Sequence, residues 1–255
     1  MIRGIAFDLF DTLVDQNHDR LAPVEVEGRR IGATTPALHR YAVDELGMEV
    51  PILAFADRLR SVDRKMRVET IDRGLELATH DRFAALAESL GCPDVAAAAR
   101  GLTQVHMSVL REAVTIPDHH EAVLANLAVD HPLALCSNFS HAETARSILR
   151  RAGFDVHLDP VVISEEVGIR KPRREIFEAV STALALAPGE ILHVGDDLRA
   201  DVGGAAALGM KTVWLTRRVR DPEAELAGYE GPRPDFALED LMDLPVLIAR
   251  LNRPR

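Results

Sequence analysis

The chain opens on Ile2-Arg-Gly-Ile-Ala-Phe7, a short apolar run rich in β-formers that stops at Asp8. Such a run predicts a buried strand. The period then changes. Between Pro36 and Ala113 apolar positions recur at helical spacing over residues 36–46, 52–68, 82–90 and 94–111, with Gly47, Gly91 and Pro93 as breaks. This stretch carries little strand signal and reads as an all-helical insertion. After Pro117, strand and helix patterns alternate. Strands are expected over 133–136, 160–163, 191–194 and 211–215, with a short one near Phe236. Helices are expected over 140–151, 173–186, 198–208 and 239–251. Residues 217–234 are charged and rich in Pro and Gly, and read as a solvated loop.

Strands alternating with helices imply βαβ crossovers. The fold class is therefore α/β, a Rossmann-like parallel sheet flanked by helices. Residues 1–15 and 116–255 form the core, and 16–115 the inserted helical domain. In such sheets ligands bind beyond the carboxyl ends of the strands. Four polar clusters stand there: Asp8-Leu9-Phe10-Asp11-Thr12, Ser137-Asn138, Lys171-Pro172 at a helix start, and Asp196-Asp197 with Asp201 beyond.

Those clusters, in that order, resemble the four signatures of the haloacid dehalogenase superfamily, with a helical cap inserted after the first strand. The resemblance covers the core from Ile2 to about Leu215 and implies a hydrolase. Asp8 is then the covalent nucleophile, which splits one hard displacement into two easier steps. Thr12 and Ser137 offer hydroxyls to a phosphoryl oxygen or orient Asp8, and Asn138 adds a donor or plays a loop role. Lys171 neutralises the nucleophile and the anionic group it attacks. Asp8, the Phe10 carbonyl and Asp196 are implied as direct Mg²⁺ ligands, with Asp201 acting through water. Three carboxylates in one cleft repel unless a cation sits among them, and Mg²⁺ takes such oxygen donors. Asp197 is expected to cap the following helix, and Arg170 to lie at the surface.

One departure matters. Phosphatase members carry a second Asp two positions after the nucleophile, as general acid and then base. Here that position is Phe10, and Asp11 comes one residue later, where a turn-capping role fits it. The dehalogenase branch carries an aromatic residue at this place. A metal-independent 2-haloacid dehalogenase is therefore the rival reading, with Arg29, Arg30 and Arg40 as possible carboxylate binders. Against it stand the paired acids of the fourth cluster, and Phe177 where dehalogenases place Tyr. A non-catalytic member that binds a ligand or protein is a third reading.

Composition narrows the partners. A formal net charge of −10 over 255 residues repels nucleic acid and anionic membranes, so neither is an expected partner. The small anionic, phosphorylated substrate is what the resemblance implies, and it would need a local positive site inside this negative field. No stretch is long and apolar enough to span a bilayer and none reads as a signal peptide, so the expected location is cytoplasmic. Cys92 and Cys136 read as buried thiols. The basic residues between Arg58 and Arg73 read as a solvated helix face from which one or two could meet substrate. His119-His120 read as poor joint metal ligands, because neighbours on a helix face apart. Asp118 is expected to cap the helix they begin, and Trp214 to be core. Neither substrate identity nor oligomeric state is encoded in a recognisable motif.

Overall fold

The structure, a computed structural model, describes residues 1–253. It divides into two compact units, residues 1–15 with 115–255 and residues 16–114. Strand β1 (Gly4–Phe7) is buried throughout. The chain then leaves the first unit through β2 (Asp15–Gln16), which pairs with β5 (Val114–Thr115) where it returns.

The second unit begins with β3 (Val24–Val26) and β4 (Arg29–Ile31), an antiparallel hairpin. It turns on Glu27 and Gly28, both with positive φ, as tight hairpins require. This corrects the expectation of an all-helical insertion. The charged run Glu25, Glu27, Arg29 and Arg30 hides a two-strand pattern too short for periodicity to register. Helices α1 (Thr35–Asp44), α2 (Ile52–Glu69), α3 (Thr79–Leu90) and α4 (Val95–Glu112) follow. Asp94 caps α4 by accepting from the Ala97 amide, and α3 ends on Gly91 in the left-handed region. Leu38, Phe55, Leu59, Phe83, Leu86 and Leu102 form the core between them. Gly101 lies inside α4, where glycine is unfavourable. A Cβ there would meet the Tyr41 hydroxyl at 1.8 Å, so the bare backbone is what lets α1 and α4 close. Arg58, Arg29 and Arg82 are engaged within this unit, by the Ser89 carbonyl, Asp57 and Asp63.

In the first unit, α5 (His120–Ala128), β6 (Leu133–Ser137), α6 (Ala142–Ala152), β7 (Leu158–Ile163), α7 (Ser164–Val167), α8 (Arg174–Leu184), β8 (Ile191–Gly195), α9 (Gly204–Leu208), β9 (Lys211–Leu215), α10 (Pro222–Gly228), β10 (Phe236–Leu238) and α11 (Leu244–Leu251) follow in turn. Among the described residues six strands form one parallel sheet in the order β10-β9-β8-β1-β6-β7. Connections run outward from β1 in both directions, so β1 and its neighbours form the topological switch point where α/β sheets bind ligands. Packed beneath are Ala6, Ala134, Ile176, Phe177, Val180 and Ile191.

Several boundaries differ from the sequence pattern. Residues 198–203 form a π-type turn before α9, not a continuous α-helix. Helix α10 lies inside the segment expected as loop, started by Asp221, whose side chain accepts from the Ala224 amide. The last helix begins at Leu244 after a short 3₁₀ turn. Asp118 is not the cap of α5, whose N-cap is His119. Lys171 and Pro172 precede α8, whose N-cap is Arg173. Cys92 and Cys136 are free and buried, and burial pushes the Cys136 thiol up to about 12. Among the described residues no helix is long and apolar enough to cross a membrane.

Candidate active site

Strand β1 ends at Phe7 and delivers Asp8 to the switch point, where its amide donates to the Val194 carbonyl of β8 at 2.9 Å. The turn that follows puts Asp11 at φ 56°, a left-handed conformation that Asp tolerates better than bulkier residues. Asp11 faces Arg218 at 3.6 Å. Phe10 stacks obliquely on Phe139, with ring centroids 4.8 Å apart.

Lys171 is the centre of the charge arrangement. Its Nζ donates to Asp8 Oδ1 at 2.5 Å and to Asp201 Oδ1 at 2.6 Å, with all three side chains buried. Asn138 fixes where Lys171 stands. The Asn138 Oδ1 accepts from the Lys171 amide at 2.7 Å, and Nδ2 donates to the Lys171 carbonyl at 3.0 Å. Both ends of the Asn138 amide thus serve the Lys171 backbone, which corresponds to the loop role among the two that the sequence left open.

Asp201 comes from the π-type turn after β8. Its Oδ1 accepts from Lys171 and also from His193 Nε2 at 2.9 Å, while Oδ2 accepts from the Asp197 amide at 3.2 Å. His193 is a buried polar residue inside β8, its ring perpendicular to that of Phe177 with centroids 5.2 Å apart. The sequence reading passed over it. The signal was one ionisable residue in the apolar run Ile191–Gly195. Gly195 matters for a related reason: a Cβ there would lie 2.2 Å from Asp201 Cγ. Asp197 caps the turn, accepting from the Arg199 and Ala200 amides. Trp214, buried as expected, also donates from Nε1 to the Asp196 carbonyl at 2.7 Å and so anchors the loop.

Asp8, Asp196 and Asp201 each offer a carboxylate oxygen within 4.8 Å of the others. One ammonium faces three carboxylates, and the titration behaviour reflects the deficit. Burial pushes Asp8 up to about 6 despite Lys171, with Asp201 adding to the rise. Burial, then the charges of Asp8, Asp201 and Asp11, push Asp196 up to about 8. Asp201 goes the other way: burial opposes its ionisation, but Lys171 and His193 outweigh that and hold it at about 2. Lys171 is held well above the ordinary ammonium range by both acids, against its own burial. A divalent cation among these oxygens would remove the mismatch, and the all-oxygen donor set fits Mg²⁺.

The hydroxyls divide. The Thr12 hydroxyl makes a long contact of 3.5 Å to Asp196 Oδ1. Ser137 is fully buried at the end of β6, and its Oγ has no hydrogen-bond partner among the described residues. Buried polar groups are seldom left unpaired without a functional reason. An anion at the switch point would give this hydroxyl its acceptor.

A family model described as haloacid dehalogenase-like hydrolase matches residues 2–209. Phosphoserine phosphatase from Thermus thermophilus is 33% identical over 162 residues, which is 63% of this chain and only 60% of that protein. Ribulose-1,5-bisphosphate 5-phosphatase from Halopiger xanaduensis is 29% identical over 98% of this chain and 100% of its own length. Among solved structures, 2-haloacid dehalogenase from Pseudomonas syringae pv. Tomato DC3000 superposes with a TM-score of 0.76 at 20% identity, covering 98% of this chain and all of the other. That last likeness concerns the fold alone.

Proposed function

Because the chain belongs to the haloacid dehalogenase-like hydrolase family, we propose that it is a Mg²⁺-dependent phosphatase acting on a small phosphorylated metabolite through Asp8. The observation that carries this reading is the cluster of Asp8, Asp196 and Asp201 around a single ammonium. A metal-independent dehalogenase has no use for the surplus acids, which would repel a 2-haloacid. The phosphatase names of the two sequence relatives support the same direction.

In this reading Asp8 attacks phosphorus, the bond to the leaving oxygen breaks, and an aspartyl phosphate forms. Water then attacks that phosphorus, phosphate departs and the carboxylate returns. Lys171 holds Asp8 ionised and offsets the charge of the incoming group, while Ser137 Oγ donates to a phosphoryl oxygen. Mg²⁺ held by Asp8, Asp196 and the Phe10 carbonyl, with Asp201 behind, would supply the remaining positive charge.

Phe10 sets a limit on the leaving group. It cannot protonate a departing oxygen, and general acids contribute about 10²–10⁴-fold. Aryl and acyl phosphates, which leave unaided, are expected to turn over ~10²-fold or more faster than alkyl phosphates. Asp11→Asn is expected to leave that ratio unchanged, because Asp11 faces Arg218. A collapse of the ratio in Asp11→Asn would instead make Asp11 the acid.

The metal reading has a pH signature. Asp8 and Asp196 are raised from 3.8 to about 6 and about 8, so the folded, metal-free protein holds protons that the unfolded chain has already released. Its stability therefore falls as pH rises from about 4 through 8. Asp201 contributes the opposite slope, lost only below about 4. With EDTA, Tm is expected to fall between about pH 5 and pH 8.5, and Mg²⁺ at ~100 times Kd to add about 5–10 °C at the upper pH but much less at the lower. Equal Mg²⁺ shifts at both would contradict the arrangement.

Phe10, where the dehalogenase branch carries an aromatic residue, favours a second reading, carbon–halogen hydrolysis without metal. One assay separates the two: phosphate release from a phosphomonoester panel including p-nitrophenyl phosphate, and chloride release from 2-chloro acids, each with Mg²⁺ and with EDTA. Mg²⁺-dependent phosphate release is expected. Chloride release untouched by EDTA would overturn the phosphatase reading, and any multiple turnover would remove the non-catalytic one.

A further inference from the structure

A second group of potential ligands lies elsewhere in the first unit. One ring nitrogen of His119, one of His120 and a carboxylate oxygen of Asp240 lie within 4.8 Å of one another. The two histidines are neighbours in sequence, and inside a helix they would diverge. They stand at its start instead. His119 is the N-cap of α5 at φ −94°, ψ −11°, and His120 the first helical residue. Their rings meet edge to face with centroids 4.7 Å apart. Asp240 arrives from the turn before α11, far away in sequence, with Oδ1 2.7 Å from His119 Nε2.

His120 carries the argument. Its side chain is fully buried. Its Nδ1 lies 2.8 Å from the Leu13 carbonyl. A carbonyl only accepts, so Nδ1 bears the proton and Nε2 the lone pair. Nε2 is buried and has no hydrogen-bond partner among the described residues. A backbone carbonyl fixing one ring nitrogen while the other presents a bare lone pair is the usual disposition of a metal-ligating histidine. Asp240 Oδ1 also accepts from the Met242 amide at 2.8 Å, which leaves Oδ2 for an ion. His119 and Asp240 are about one-third exposed, so an ion and a completing water can reach them. The neighbouring cation, Arg217, is already paired with Asp15.

We propose that His119, His120 and Asp240 form a second metal site, for a borderline divalent transition ion such as Zn²⁺. Two imidazoles and one carboxylate are the donors Zn²⁺ takes in three-ligand sites, with water in fourth place. Mg²⁺ prefers oxygen throughout, so the two sites sort two different ions. The site does not depend on the phosphatase reading.

The test uses the full chain, free of any histidine tag, stripped with EDTA and returned to Mg²⁺. Zn²⁺ is titrated by calorimetry and Co²⁺ by its visible ligand-field absorption. One equivalent of each is expected to bind. His119→Ala and Asp240→Asn alter partly exposed side chains, with folding checked by circular dichroism. Each is expected to weaken Zn²⁺ binding at least about tenfold and to abolish the Co²⁺ bands, whereas Asp8→Asn changes neither. Unchanged affinity in both site variants, or loss of binding in Asp8→Asn alone, would overturn the proposal. So would the absence of binding in the unaltered protein.

Discussion

Asp8→Asn is expected to lower kcat for the best phosphomonoester by ~10⁴-fold or more while leaving the fold in place. The amide keeps the shape of the carboxylate and still accepts from Lys171 through Oδ1. It cannot form an acyl phosphate. The substitution also removes one of three clustered negative charges, so in EDTA near pH 8 the variant should melt at or above the temperature of the unaltered protein. Loss of activity and gain of metal-free stability together separate a lost nucleophile from a damaged fold. Phosphate release and a thermal melt on the same preparation check both. A variant that keeps more than a tenth of the activity would remove Asp8 from the chemistry.

Lys171→Met should act differently, damaging stability as well as rate. Lys171 Nζ is the cation within bonding distance of both Asp8 and Asp201, and all three side chains are buried. Removing one partner of a buried ion pair costs about 3–5 kcal/mol, because the remaining charge stays buried and uncompensated. For a chain of this size that is a fall in Tm of roughly 6–20 °C. Asp201, held at about 2 largely by Lys171, should then protonate at a higher pH. Adding Asp201→Asn to Lys171→Met should recover part of the lost stability but none of the activity. A single variant that melts within a degree or two of the unaltered protein would contradict the buried arrangement.

Much of this was legible along the chain, for a physical reason. The core strands are apolar runs closed by polar clusters, and a parallel sheet sends each cluster to the same edge. Asp8, Ser137, Lys171, Asp196 and Asp201 could be gathered without coordinates because strand order makes them neighbours. What was not legible depends on hydrogen bonds between segments far apart in sequence. Nothing near Asn138 tells that both ends of its amide are taken by the Lys171 backbone. Nothing near Thr12 tells that its hydroxyl turns to Asp196. His193 read as nothing more than a strand residue because its partner, Asp201, lies in a turn whose π-type winding has no sequence signature. The hairpin 24–31 escaped because its strands are three residues each, shorter than any window in which alternation can be read. His119 and His120 were set aside by a rule for helix interiors that does not hold at a helix's first residue.

Gly195 shows how tightly the candidate site is written into the backbone. The room left by its missing side chain is occupied by the Asp201 carboxyl. Position 195 thus behaves as a silent member of the constellation: it contributes no side-chain donor, charge or hydroxyl, yet a single methyl there would evict one of the acids that face Lys171. Mutational scanning should therefore find Gly195→Ala among the inactive variants, indistinguishable by assay from loss of Asp201 itself. A designer wishing to retune the charge of this cleft would have to begin with an atom that is not there.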